Sequence, residues 1–393
     1  MDSLLQWRGE FPTLEKTVHL ISHSLGAMPK RARERLQEYC DVWAERSIRA
    51  WDEVWWEMPR TVGDLIGRII GAGEGEVVMH QNVSICQSMV LSCFDFTPKR
   101  NKIVSELNNF PTNLYIFHAL EKQGARLHTV PSPDGIHVPL ADMLKAIDEQ
   151  TLLVSVSHVI FNNAFIQDLE ALTKQAHEVG AYIIADIYQS AGTIPLDVRK
   201  INLDFATGGS VKWLCGGPGA GYLYVRRDLW PTLQPRLTGW LAHQRPFAFE
   251  TGPIEYADHI YRFMHGSPAI PALYAARSGY EIINEIGVPA IRAKSQRQTK
   301  LLIELAQEAG FKINVPLNPD ERGGTVIMDV PHGAQVTREL LQRDFLVDHR
   351  PGAGIRIAPH FYTKDEELTL VVQEIQQILS TKAYDKHPAT SMH

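Results

Sequence analysis

The chain has 393 residues, of which 44% are hydrophobic and 21% charged. That balance excludes a disordered polymer, and the length calls for more than one core. A net charge of −6 with no long block of like charge argues against a nucleic-acid or anionic-membrane surface as partner. Four cysteines without paired spacing suggest reduced thiols and no metal, hence a cytoplasmic protein. The first residues, MDSLLQWRGEFPTLEK, lack the apolar run of a secretory signal, and no apolar run is long enough to span a bilayer.

In chain order, strand-like runs fall at 76–80 (EVVMH), 102–107 (KIVSEL), 126–130 (RLHTV), 152–159 (LLVSVSHV), 181–186 (AYIIAD) and 221–226 (GYLYVR). Helical spacing predicts helices over 84–95, 112–123, 139–148 and 168–179. Continuous apolar strands alternating with amphipathic helices imply an α/β fold with a mainly parallel sheet covered on both faces. After about residue 265 the pattern changes. Long helices are predicted over 269–286 and 289–309, then strands in TVIMDV, FLVDHR and GIRIAP, then a helix over 364–380. This gives three parts: an N-terminal segment, 1–30, packing on the small domain; a large domain, 31–265; and a small C-terminal α+β domain, 266–393. The polar tail KAYDKHPATSMH is expected to fray.

Ligands of open α/β sheets gather beyond the C-terminal ends of the strands. Asp186 stands at such an end, in ADIYQSAG, and Lys212 follows among glycines in GGSVKWLCGGPGAG. A desolvated lysine can lose its proton and condense with an aldehyde. An aspartate opposite a pyridine nitrogen keeps that ring protonated and electron-accepting. Pyridoxal 5'-phosphate needs both groups and a phosphate seat. The turn QNVSI opens a helix and offers backbone N–H groups and the Ser84 hydroxyl. Phe110, in NNFPT at another strand end, could cover the ring. No GxGxxG follows an early strand, which argues against a dinucleotide enzyme.

These residues and several ordered motifs resemble the class V aminotransferase-type, fold type I pyridoxal-phosphate enzymes, and most closely kynureninases. The motifs are HSLGAMPK (23–30), SIRAWDEVWWEMPRTVGDLIGRIIGA (47–72), SELNNFPTNLYI (105–116), SHVIF (157–161), GWLAHQRPFAFE (239–250) and HRPGAGIRIAPHFY (349–362). The resemblance implies a seven-stranded-type sheet and a homodimer acting on an amino acid. Lys212 would be the lysine that condenses with the cofactor, and Asp186 the partner of its ring nitrogen. Gln189 would approach the phenolic oxygen; Val83 and Ser84 would hold the phosphate, with Ser210 nearby. Phe110 would stack on the ring, with Asn113 standing where FPTD has an aspartate. Arg356 would grip the substrate α-carboxylate, and Trp240 and His243 would shape the side-chain pocket. Ser267 would reach the phosphate of the neighbouring subunit.

Three departures from the kynureninase pattern stand out. Val211 replaces the tyrosine usual before the lysine, NNA (162–164) replaces (R/K)TG, and GSPA (266–269) replaces SNPP. No cysteine follows Cys215, which disfavours persulfide chemistry of the desulfurase type.

Overall fold

The computed structural model describes residues 2–97 and 99–390. Its centre is a seven-stranded sheet. In spatial order the strands are Val77–His80, Gly221–Val225, Phe205–Gly209, Tyr182–Asp186, Thr151–Ser157, Lys102–Glu106 and Arg126–Val130. Only Gly221–Val225 runs against its neighbours; the other pairings beyond it are parallel.

Alternate side chains of these strands enter opposite layers, as the pleat requires. Val78, Ile103, Leu153 and Ile184 belong to one buried cluster. Met79, Val104, Val154, Ile183 and Ala185 belong to the other. Each such Val, Leu, Ile or Met side chain contributes about 1.5–3 kcal/mol by leaving water. With both faces covered, the strand ends are where polar groups can meet a ligand.

Local signals set the helices that flank the site. Asn82 caps Val83–Leu91, its Oδ1 accepting from Ile85 N at 3.0 Å. Pro111 opens Pro111–Glu121, and Phe110 before it is extended at φ −61°, ψ 133°. The predicted helices at 139–148 and 168–179 appear as Leu140–Ala146 and Leu169–Glu178.

The strand Phe205–Gly209, FATGG, is not among the strands expected from sequence. Its glycines make room for rings. A Cβ at Gly208 would collide with the Tyr222 hydroxyl, and one at Gly209 with that of Tyr188.

The smaller sheet is antiparallel, in the order Asp348–Arg350, Gly354–Ile357, Val326–Asp329, Lys312–Ile313. It shares a third core with Val288–Glu308, Gly333–Gln342 and Asp365–Thr381. Helix Ile270–Ile286 departs from the expected boundary at 266. Ile270, Leu273, Tyr274 and Tyr280 lie in the larger core, so the division between the cores falls after this helix begins.

The N-terminal segment spans the two cores. Val18–His19 pairs in parallel with Phe345–Leu346, and Leu20 lies in the small core, while Phe11, Leu14 and Ala27 lie in the large one. The tail also differs from expectation up to residue 390. Ala383–Lys386 forms a short helix, and Lys386 and His387 meet the buried Glu339 at 2.9 and 2.8 Å. Residues 391–393 lie outside the described ones. Among the described residues, no helix is long and apolar enough to cross a membrane.

Candidate active site

The C-terminal ends of the central strands surround a cavity of about 220 Å3. Asp186 and Lys212 both line it, as do Val83, Phe110 and Gln189.

Asp186 is held rigidly at the end of its strand. Its Oδ1 accepts from Tyr188 N at 2.9 Å and its Oδ2 from Asn113 Nδ2 at 3.1 Å. Burial raises the pKa of this carboxyl, and the two hydrogen bonds work against that rise. Such an acid gains most from a cationic partner that enters the cavity.

Lys212 follows the strand Phe205–Gly209. Its ammonium stands over the Tyr188 ring, 4.3 Å from the centroid, and 5.5 Å from that of Phe110. The residue is half-buried and lines the cavity. Burial brings its pKa down to about 8 against the pull of Asp186, with Arg356 and Arg350 adding to the decrease. Amine and ammonium forms are then both populated near neutral pH.

The loop carrying Lys212 is braced by the motif HSLG. Gly26 N donates to Val211 O at 2.8 Å. A Cβ at Gly26 would collide with Lys212 O, so only glycine allows this approach.

Phe110 covers the cavity and meets Phe161 edge-on, with centroids 5.2 Å apart. Val83 brings the N-terminus of its nine-residue helix to the wall. Asn82 serves Ile85 N and Cys86 N, and the Val83 and Ser84 amides, first in the helix, have no intrahelical acceptor. Ser84 itself is half-buried beside Val83. A buried acid, a lysine of lowered pKa, an aromatic face and a helix N-terminus fit pyridoxal phosphate in charge and in hydrogen-bonding chemistry.

Other predicted residues lie behind the wall or away from it. Asn113 is fully buried and touches Asp186 and Asn109, so it supports the acid from behind. Asn109 Oδ1 also accepts from Phe110 N at 2.7 Å and from Ser157 Oγ at 3.1 Å, tying the ring and the cavity wall to the same support. Gln189 lines the cavity, but its Oε1 accepts from Trp213 Nε1 at 2.8 Å and its Nε2 donates to His23 O at 3.1 Å.

Ser210 corrects the sequence reading. It is fully buried, and its hydroxyl is engaged with Ala220 O at 2.5 Å and with the Tyr280 hydroxyl, so it faces away from the cavity. Trp240 and His243 do not line the cavity of their own chain. Trp240 packs on Trp56, Phe247 and Phe249 in an aromatic cluster of its own. His243 accepts from Arg245 N at 2.8 Å and faces Glu250. Ser267 is exposed and also does not reach the Lys212 cavity of its own chain.

Arg356 is 3% exposed, and its Nε and Nη2 meet Asp348 at 2.8 and 2.5 Å. One edge of the guanidinium is therefore taken by an internal carboxylate, which the sequence reading did not foresee. Tyr188, Ser157 and Phe161 were missed as cavity residues. Tyr188 carried a signal, since it lies between Asp186 and Gln189; the other two become neighbours only through the sheet.

Comparison with known proteins settles the family. The class-V aminotransferase family matches residues 26–347. The chain belongs to that family. It is kynureninase-like within it: a kynureninase of Pseudomonas fluorescens is 32% identical, with 98% of this chain and 94% of the relative covered. One from Burkholderia pseudomallei (strain K96243) is 30% identical with the same coverage. In fold, the chain is similar to the apo structure of a cysteine desulfurase from Thermococcus onnurineus NA1. That match has a TM-score of 0.86 at 23% identity and covers 96% of this chain and 98% of the other. It is also similar to a cystine C–S lyase, with a TM-score of 0.84 at 17% identity, covering 93% and 99%. At these identities the likeness concerns the fold, the fold type I architecture of pyridoxal-phosphate enzymes. The cofactor of this kynureninase-like enzyme is accordingly pyridoxal phosphate.

Proposed function

We propose that this enzyme hydrolyses the β–γ carbon–carbon bond of kynurenine or a related aryl-keto amino acid, giving an anthranilate-type acid and alanine. The observation that carries the reading is the joint lining of one cavity by Asp186, Lys212 and Phe110, in a chain matching kynureninases along almost its full length.

Pyridoxal phosphate, when bound, supplies an aldehyde that captures the substrate amine and a ring that accepts the electron pair released at Cα. Asp186 would meet the ring nitrogen, held for that task by Asn113 Nδ2 and Tyr188 N. Val83 and Ser84 would offer amides and a hydroxyl to the phosphate. Phe110 would cover the ring and exclude water from one face. Lys212 Nζ, with a pKa of about 8, would take the proton from Cα once displaced from the aldehyde. Arg356 would hold the α-carboxylate. One water is consumed: its oxygen enters the aryl acid as the β–γ bond breaks, and the β-carbon gains a proton. Val211 has no hydroxyl to deliver that proton, which favours a second reading, another class V activity such as a β-lyase, aminotransferase or epimerase.

We further place the enzyme in the cytoplasm as a homodimer. Trp240, His243 and Ser267, which stand away from their own chain's cavity, would serve the neighbouring subunit's site. Incubating the holoenzyme with kynurenine and 3-hydroxykynurenine tests the reaction by product mass. Alanine with an anthranilate supports hydrolysis; pyruvate or a keto acid without it selects the second reading. Lys212→Ala should abolish turnover and covalent attachment of the cofactor while the fold persists. Full retained activity would reject the assignment.

A further inference from the structure

We propose that His23 and Asp348 are positioning residues that present one edge of Arg356 to the carboxylate of an amino-acid ligand. The inference rests on the amino-acid reading above and adds two residues to that site.

A guanidinium carries five N–H donors in one plane. In Arg356, Nε and Nη2 each give one to Asp348, at 2.8 and 2.5 Å. Nη1 gives one to Phe161 O at 2.9 Å, and the Phe161 side chain lines the Lys212 cavity. One N–H remains on Nη1 and one on Nη2. These two nitrogens form the end of the fork, where a second carboxylate can be received through two parallel hydrogen bonds. With its other edges held and 3% of its surface exposed, the plane cannot swing away.

Asp348 is itself fixed. It is the register partner of Arg356 across the antiparallel strands Asp348–Arg350 and Gly354–Ile357. The hairpin joining them turns through Gly352 and Gly354, at φ 75° and 121°. His23 Nε2 meets Asp348 Oδ1 at 3.0 Å, and Arg350 Nη2 meets Oδ2 at 3.3 Å. Burial and Arg356 push the His23 imidazole down to about 4, so it is neutral and donates from Nε2. Burial works against ionisation of Asp348, but the hydrogen bonds from His23 and Arg356 outweigh it and hold the carboxyl well below the usual range. The carboxylate stays charged and keeps its place.

His23 also joins this cluster to the cofactor cavity. Its backbone oxygen accepts from Gln189 Nε2, and Gln189 lines the wall beside Lys212. The charges that act on Lys212 are Asp186, Arg356, Arg350 and Asp348.

The test compares two probes of the holoenzyme, L-alanine and ethylamine, which differ by the carboxylate. Their dissociation constants are read from the cofactor's absorbance change, and the ratio, ethylamine over alanine, isolates the carboxylate seat. Wild type should give a large ratio. Asp348→Asn should lower it about tenfold, since loss of rigid placement is felt strongly at such sites. An unchanged ratio in Asp348→Asn would overturn the proposal, whatever happens to thermal stability. Should Asp348→Asn not fold, His23 carries the test. His23→Leu should lower the ratio about threefold and His23→Gln, which retains a donor, should restore most of it. A wild-type ratio in His23→Leu overturns the proposal, as does a ratio near one in the wild type itself. Neither probe is hydrolysed like kynurenine, so an enzyme with no kynurenine activity still gives a decisive ratio.

Discussion

Glu106 ends the strand Lys102–Glu106, and its buried side chain supports the cavity wall. Its Oε1 accepts from Ser157 N at 2.9 Å, while Oε2 is buried without a hydrogen-bond partner. Burial raises this carboxyl from 4.5 to about 7, and the bond from Ser157 N only partly offsets the rise. An acid with a raised folded-state pKa favours the fold below its unfolded pKa, and that stability is lost as pH rises through the folded one. The difference, 7 − 4.5, is about 2.5 units, or about 3 kcal/mol across the full window. Between pH 5 and pH 8 the change is about 2 kcal/mol, because part of the window lies below pH 5. Glu106→Gln keeps an acceptor for Ser157 N and removes the titration. The variant should therefore gain about 2 kcal/mol relative to wild type on going from pH 5 to pH 8, or about 2–3 °C in Tm for a chain of this size. Equilibrium urea unfolding of both proteins at the two pH values measures the double difference; differential scanning calorimetry replaces it if unfolding is irreversible. A double difference of zero, or one of opposite sign, would refute the burial argument.

Gly26→Ala should drive a methyl group into Lys212 O. The loop must shift, which costs about 1–3 kcal/mol in stability and about a hundredfold in kcat/KM; wild-type turnover would show that the loop is not held there. In the cofactor-free protein, labelling of Lys212 by an amine reagent should rise with pH and reach half its maximum near pH 8, where the amine is set free; a midpoint near the ordinary lysine value would show an exposed amine. Arg356→Ala should raise KM for the amino acid at least about tenfold. It also removes the paired hydrogen bonds to the half-buried Asp348, which keeps His23 and Arg350, at a stability cost of about 1–3 kcal/mol. An unchanged KM would make Arg356 purely structural.

Much of the large sheet was legible because its strands are short apolar runs that end at turn signals. AYIIAD and LLVSVSHV are buried on both faces and read as such. FATGG escaped because its glycines report space left for Tyr222 and Tyr188, and those rings come from other parts of the chain. The cavity shows the same division. Asp186, Lys212, Phe110 and Val83 each sit at an element boundary that local sequence marks, and all four line it. Ser210 looked equally well placed two residues before Lys212, but just past the strand end its hydroxyl meets Ala220 O and Tyr280. The partner of Arg356 was hidden for a different reason. Nothing in HRPGAGIR reveals that hairpin register sets Asp348 opposite it, or that His23, more than 300 positions earlier, closes the group. By itself the sequence determined the strands, the capped helices and the acid, lysine and aromatic residues at their ends, because hydrophobic period and turn chemistry act over a few neighbours. Tertiary structure alone decided which of those side chains share a cavity and which are engaged elsewhere, because burial, Coulombic coupling and hydrogen-bond occupancy depend on residues brought together from distant parts of the chain.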